Sequence, residues 1–263
     1  MRSFLTTLFL GASLLSVPYA FSETAEEKGL AIAMEADRRG DGFIDYTADM
    51  EMILKNRHGN ESKRSIRIKT LEVPGDGDKS LSIFDTPKDV KGTAFLTFSH
   101  KVGDDDQWLY LPALKRVKRI NSRNKSGSFM GSEFAYEDIA SQEVEKYNYK
   151  HLREEQYQGQ NCFVGESYPV DQQNSGYTKR LTWTDKKEYR VLKVEYYDRK
   201  QSLLKTLTTE DYQQYLGKYW RPGMMHMVNH QTGKSTTLLW KNYQFRTGLS
   251  DNDFNSTSLK RAR

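Results

Sequence analysis

Several short stretches hold residue types that do chemistry elsewhere, and each is weighed by whether its neighbours complete the motif. Asp37-Arg38-Arg39-Gly40-Asp41-Gly42 opens as a calcium loop does, with carboxylates at the first and fifth positions, glycine at the sixth and Asp45 at the ninth. Calcium also needs an oxygen at the third position and a bidentate Glu at the twelfth, where this chain has Arg39 and Ala48, so the stretch reads as a helix end running into a turn. Gly233-Lys234-Ser235-Thr236 ends like a phosphate loop, but Val228 stands where its first glycine belongs and both flanks alternate as strands. His226 and His230 have the spacing of a helical zinc pair, yet Met227 replaces the expected Glu and Pro222-Gly223 argues for strand, so both read as structural. Cys162 is the single cysteine; beside Phe163 and Val164 it reads as a buried, inert thiol. The nearest approach to a serine-hydrolase elbow, Gly165-Glu166-Ser167-Tyr168-Pro169, lacks the second glycine. No nucleophile–base pair is legible, and the chain is read as a non-enzyme without cofactor or metal.

Two features remain. One is a surplus of 16 Tyr, 12 Phe, 8 Met and 4 Trp over alternating segments, enough for a core or for a curled sheet with a concave apolar cavity. The other is the run Trp108 to Ile120, WLYLPALKRVKRI, in which Lys115, Arg116, Lys118 and Arg119 precede Arg123 and Lys125. Such a run either seats an anionic headgroup or an acidic partner or is an ordinary basic strand face.

The elements that must position these residues follow from periodicity. Of 263 residues, 37% are hydrophobic and 29% charged, with a net charge of +5: a folded chain, modestly basic, and poorly suited to nucleic acid. Residues 1 to 22 carry Arg2, an apolar stretch from Phe4 to Val17 and small residues near Ala20 and Ser22, the layout of a cleaved secretory signal. The mature chain, 23 to 263, is expected in a periplasm as one domain and a monomer, since lone Cys162 suits that compartment better than an animal extracellular space. Glu23 to Arg39 reads as an amphipathic helix stopped by glycine, and from Tyr46 onward the period is two. About a dozen strands follow, among them Leu203 to Tyr215 and Tyr219 to Asn229, with few helices: a mainly β, antiparallel domain. Asn121 to Ala140 breaks the alternation and reads as a loop with short helical turns. The tail from Ser250 has only Phe254 and Leu259 as large anchors, for a short docked helix or a fraying end.

The string from Trp108 to Ile120, then Phe129-Met130-Gly131-Ser132-Glu133-Phe134-Ala135-Tyr136-Glu137-Asp138, resembles the bacterial outer-membrane lipoprotein-sorting, or LolA-like, family. Gly92 to Leu96 and Tyr219-Trp220-Arg221-Pro222 agree with it. The resemblance implies a curved, half-open antiparallel β-barrel of about 11 to 12 strands closed by short helices, with an apolar cavity for acyl chains. It implies a non-catalytic carrier of a lipoprotein or lipid to the outer membrane, meeting an inner-membrane exporter and an outer-membrane acceptor. The alternative is an accessory or sensor subunit of a resistance-nodulation-division type exporter. By alternation the cavity residues are Leu96, Phe98, Leu109, Leu111, Leu181 and Trp183, with Phe129, Met130 and Phe134 as a lid. Lys115, Arg116, Lys118 and Arg119 are the docking residues for a headgroup or partner.

Overall fold

The computed structural model describes residues 23–261; the signal segment expected at 1 to 22 lies outside them. Helix α1 (Ala25–Gly40) starts where Thr24 caps it: the Thr24 hydroxyl accepts from Glu27 N at 3.1 Å and the Glu27 carboxylate accepts from Thr24 N at 2.8 Å. Glu26 and Glu27 in the first turn and Arg38 and Arg39 in the last complement the helix dipole. The calcium-like stretch is the end of this helix and the turn beyond it.

Strands β1 (Asp45–Lys55), β2 (Glu61–Leu71), β3 (Lys79–Thr86), β4 (Ala94–Phe98), β5 (Asp106–Leu111) and β6 (Arg116–Ile120) form a meander running to one edge of the sheet. From the other edge a second meander runs back: β7 (Tyr147–Tyr157), β8 (Gln160–Pro169), β9 (Lys179–Asp185), β10 (Val191–Tyr197) and β11 (Leu203–Glu210). Then β14 (Met224–Asn229) and β15 (Ser235–Phe245) join it to β1, giving one 13-stranded sheet ordered β6-β5-β4-β3-β2-β1-β15-β14-β11-β10-β9-β8-β7. Every pairing is antiparallel and β6 does not pair with β7, so the barrel stays open.

Two long strands expected from the sequence are each divided. Leu203 to Tyr215 breaks into β11 and β12 (Gln213–Tyr215), and Tyr219 to Asn229 into β13 (Tyr219–Arg221) and β14; β12 and β13 form their own hairpin. Asp211 takes a left-handed φ of 56°, and a Cβ on Gly223 would lie 2.9 Å from the Asp211 carbonyl oxygen, so only glycine lets the two breaks face each other.

The curl follows from the core. Leu109 of β5 and Val194 of β10 share one hydrophobic cluster, although eight strand spacings would hold them about 38 Å apart in a flat sheet. The concave face carries Met50, Met52, Ile66, Ile68, Phe84, Phe95, Leu207, Met227 and Leu238. On the convex face Leu81, Ile83, Ala94 and Leu96 lie under Phe254 and Leu259, so the tail is a docked helix, α3 (Ser256–Arg261). Thr247 and Gly248 tie this tail down by donating to the buried Asp45 carboxylate.

Phe254→Ala should lower the unfolding free energy by about 3 kcal/mol, seen as a reduced urea midpoint, because it opens a cavity under the tail. Exchange of the Phe129 and Tyr136 amides, bonded on the opposite face, should stay slow. A loss well under 1 kcal/mol would mean that the tail merely rests on the sheet.

Candidate functional site

The concave face needs a cover, and the connection between the free edges supplies it. Residues 121–146 leave β6, pass over the concave face and enter β7. This strap begins where the Asn121 side chain accepts from Arg123 N at 3.0 Å. It then turns tightly: Met130 has φ 51° and Gly131 φ 78°, and the Ser132 hydroxyl donates to the Phe129 carbonyl at 2.7 Å. The turn drives Phe129 and Phe134, 1% and 2% exposed, into the core. The Phe129 ring lies 5.0 Å from that of Phe95, 6.1 Å from Phe84 and 5.8 Å from Tyr136.

Polar contacts clamp the strap from both halves of the sheet. Asp138, in the short helix α2 (Tyr136–Ile139), pairs with Lys205 of β11 at 2.7 Å; both side chains are buried. Tyr177 also donates to Asp138 at 2.9 Å, and Lys205 donates to the Glu133 carbonyl at 2.9 Å. Asn229 donates to the Glu133 carboxylate at 2.7 Å, Gln107 to the Tyr136 carbonyl at 3.1 Å and Arg64 to the Met130 carbonyl at 2.5 Å. The Glu137 carboxylate accepts from Gly176 N and the Ser175 hydroxyl, both at 2.8 Å; burial pushes it above the usual carboxylate range despite nearby Arg180. Removing one partner from a buried pair such as Asp138–Lys205 leaves an uncompensated charge, which makes these clamps strong constraints on position.

Three cavities adjoin the strap and α1. The first, of about 220 Å³, lies between α1 and the sheet and is walled by Ile32, Ala33, Tyr147, Tyr149, Phe163 and Val191. A Cβ on Gly29 would lie 2.7 Å from Lys150 N, so that glycine sets how closely the helix approaches β7. Burial lowers the His151 pKa and Lys28 adds to it, favouring a neutral ring against this apolar space. The second, of about 210 Å³, opens between the sheet edges beside Ile120, Tyr147 and Pro169. The third, of about 590 Å³, is polar and bordered by Asp37, Asp41, Glu72, Asp76, Asp78, Glu143, Lys101 and Arg221. Burial, then the neighbouring Glu143 and Glu72 carboxylates, push Asp78 up to about 7.

The structure separates the residues singled out by alternation. Leu109, Leu111, Phe129, Met130 and Phe134 all belong to the concave cluster, Leu111 and Met130 being only partly buried at its border. Leu96 and Phe98 are on the convex face, Leu96 beneath the tail and Phe98 edge-on to Trp108 at 5.2 Å. Leu181 and Trp183 are also convex, packed with Cys162, Val164 and Leu192. The concave positions of those strands are Phe95 and Thr97 in β4 and Arg180, Thr182 and Thr184 in β9. In β4 both faces are covered, so apolarity carries no phase; in β9 the polar phase turns inward to meet the strap's carboxylates. Arg180, Lys205 and Tyr177 are not singled out by the sequence, and Asp138 stands there only at the end of the recognised string, without a role; the signal for Lys205 is its place between Leu204 and Leu207 in a half-buried strand.

Lys115, Arg116, Lys118 and Arg119 are exposed on the β5–β6 hairpin, with Leu114 67% exposed at its tip. Arg116 and Lys118 stand opposite Leu111 and Leu109 in the ladder and so share the concave side, whereas Arg119 stands opposite Trp108 and pairs with Asp106. His226 and His230 do not converge: they bond to Thr237 and Thr206, each at 2.8 Å. The Cys162 thiol is buried, which raises its pKa. Among the described residues, no group of three or more His, Cys, Asp or Glu is arranged to hold a metal ion.

A curled antiparallel sheet with free edges, crossed by a strap and backed by a helix, is the LolA-like fold: a LolA superfamily protein from Nitrosomonas europaea, 22% identical, superposes with a TM-score of 0.71 over 90% of this chain and 100% of its own. A chain from Vibrio parahaemolyticus described as an outer membrane lipoprotein-sorting protein domain is 62% identical, with a TM-score of 0.88 over 90% of this chain and 100% of its own. A DUF1329 family protein from Desulfovibrio piger is 31% identical, with a TM-score of 0.85 over 90% and 99%. A family model described only as an uncharacterized protein matches residues 76–261, and no curated protein matches. The chain belongs to the DUF1329 family.

The acidic cavity generates a pH dependence. Because the folded-state pKa of Asp78 lies above its unfolded value, the folded protein holds the proton more tightly, and the contribution of Asp78 to stability falls as pH rises from about 4 to about 7, then levels. Glu143 and Asp37, also raised chiefly by burial, act in the same direction. Asp78→Asn should flatten this fall, so its urea midpoint, compared with that of the parent, gains steadily between pH 4 and pH 7. Parallel pH curves for the two proteins would show that Asp78 ionises normally.

Proposed function

We propose that the protein is a periplasmic, non-catalytic carrier that takes acyl chains of a lipoprotein or lipid into the concave face of its sheet for transfer toward the outer membrane. The observation that carries this reading is the strap: the apolar interior of an open barrel is filled by Phe129, Phe134 and Tyr136 from a segment held by side-chain hydrogen bonds instead of strand pairing. Acyl chains replacing those rings keep the interior dry, and each methylene buried from water contributes about 0.8 kcal/mol to uptake. Release then needs a competing apolar site or return of the strap. The relation to a chain described as a lipoprotein-sorting domain supports the same reading. Among the described residues no helix is long and apolar enough to cross a membrane, in keeping with an exported carrier that meets membranes only transiently.

The β5–β6 hairpin is the docking element in this proposal. Among the described residues Lys115, Arg116 and Lys118 form no ion pair, and Leu114 projects at the tip, a combination suited to an anionic membrane surface or an acidic partner. An inner-membrane exporter and an outer-membrane acceptor would be met by a monomer through this edge.

Native mass spectrometry of the mature chain, purified from the periplasm without detergent, tests the carrier reading directly. An extractable acyl species near one per protein is expected. A bare protein mass, with no uptake of added lipid, would turn the search toward an accessory subunit of an exporter. Replacing Lys115, Arg116, Lys118 and Arg119 by Ser should weaken binding to anionic vesicles at low salt by about 10-fold or more while leaving the urea midpoint nearly unchanged, since each cation near such a surface contributes about 1 kcal/mol. Equal vesicle binding by both proteins would remove the hairpin from docking.

A further inference from the structure

Arg180 is a charged side chain on the concave face of β9, third strand from the β7 edge of the sheet, and is 1% exposed. Its guanidinium carbon lies 4.8 Å from the ring centre of Tyr147, 5.2 Å from Tyr177 and 5.3 Å from Tyr196. Among the described residues, Nε, Nη1 and Nη2 have no hydrogen-bond acceptor. Aromatic faces attract the cation but leave its donors unmet, and a buried charge with unmet donors is costly to a fold. A core serving stability alone would be better with an apolar side chain there.

The surrounding charges are divided between two pieces of chain. The sheet supplies the cations, Arg180 of β9 and Lys205 of β11; the strap supplies the anions, Glu137 and Asp138. Both anions are engaged by other donors: Glu137 by Ser175 and Gly176, Asp138 by Ala135 N, Tyr177 and Lys205. Lys205 lies over the same two rings, 5.0 Å from Tyr177 and 5.2 Å from Tyr196, so the two cations share one aromatic cage.

The strap thus presents two things side by side to the concave face, the apolar rings of Phe129 and Phe134 and the carboxylates of Glu137 and Asp138. A purely apolar cargo displacing it would match the rings and leave Arg180 and Lys205 facing hydrocarbon without counter-charge. A cargo with an acyl chain and an anionic head matches both, and it also supplies the acceptors that Arg180 lacks. Two cavities approach the pair: Tyr147, whose ring lies against Arg180, lines the first and the second, and Ser167, the ladder partner of Arg180, and Thr182, two residues on along β9, line the one under α1.

We propose that the concave face selects anionic amphiphiles, its Arg180–Lys205 pair receiving a carboxylate or phosphate headgroup in the place that Glu137 and Asp138 of the strap take in this structure. The strap is then an internal mimic of the cargo, both in its rings and in its charge. This rests on the carrier reading and adds the chemistry of the headgroup to it.

The test compares cis-parinaric acid with its methyl ester, probes of equal chain and unequal charge, titrated by fluorescence into the delipidated mature protein. The acid should bind about tenfold more tightly than the ester, as a charge-assisted hydrogen bond implies. Arg180→Met should bring the acid to the level of the ester. Asp138→Asn, which removes a competing carboxylate and frees Lys205, should raise the acid-to-ester ratio and so tests the idea even if the Arg180 variant folds poorly. Phosphatidic acid should displace bound acid better than diacylglycerol of the same chains, which extends the class to phosphate heads. Equal affinities for acid and ester, or a ratio untouched by either variant, overturn the proposal. Displacement of the acid by millimolar inorganic phosphate with the ester still bound would assign the pair to a free anion and also overturn it. Failure of both probes to bind would instead remove the carrier reading on which it stands.

Discussion

An open sheet that curls until its distant strands share one core must cover its concave face, and in this protein a single covalent segment does so. The strap can lie there because of topology: it is the link between β6 and β7, the two edges that never pair, so its path from one to the other crosses the opening. Its side chains then complete the core that the strands begin, with Phe129 against Phe84 and Phe95. The convex face is covered by separate means, the tail helix on one side and the Cys162–Trp183 cluster on the other.

This separation of faces has an energetic consequence. The convex packing rests on apolar contact, with the Asp45 carboxylate and the Lys69–Asp253 and Lys79–Asp251 pairs holding the tail around it, whereas the concave cover combines rings with buried charges whose cost is recovered only while they are paired. A cover of that kind is specific in position, since sliding it would strand Asp138 and Lys205 from each other. Few of its backbone groups are locked into the sheet's ladder, and most of its anchors are side chains. Under the carrier proposal, the shell supplies the stability and the strap is the part that gives way.

Much of the architecture was legible in the sequence. Period-two patterning from Tyr46 onward marked a mainly β domain, and the loss of that pattern between Asn121 and Ala140 marked the strap as something apart. The string through Trp108 and Phe129 carried the resemblance that the structural relatives then showed. The breaks at Asp211 and Gly223 were hidden because the flanking residues continue to alternate; the kink comes from two backbones meeting, which no local pattern records.

The site was legible only in part. The sequence by itself determined most of the strand segments, that Phe129 and Phe134 stand in a segment of their own, and that Lys115, Arg116, Lys118 and Arg119 form one basic run, because these depend on local spacing. Tertiary structure alone decided which phase of each strand faces inward, sending Leu96, Phe98, Leu181 and Trp183 outward and Arg180 inward. The physical reason is that a strand offers two equivalent faces differing by one residue. When both are buried, or when the inner one meets carboxylates from a segment far along the chain, hydrophobicity no longer says which is which. The pairing of Lys205 with Asp138, 67 residues apart, is of that kind: neither stretch shows the other as its partner, and only the fold brings the charges together.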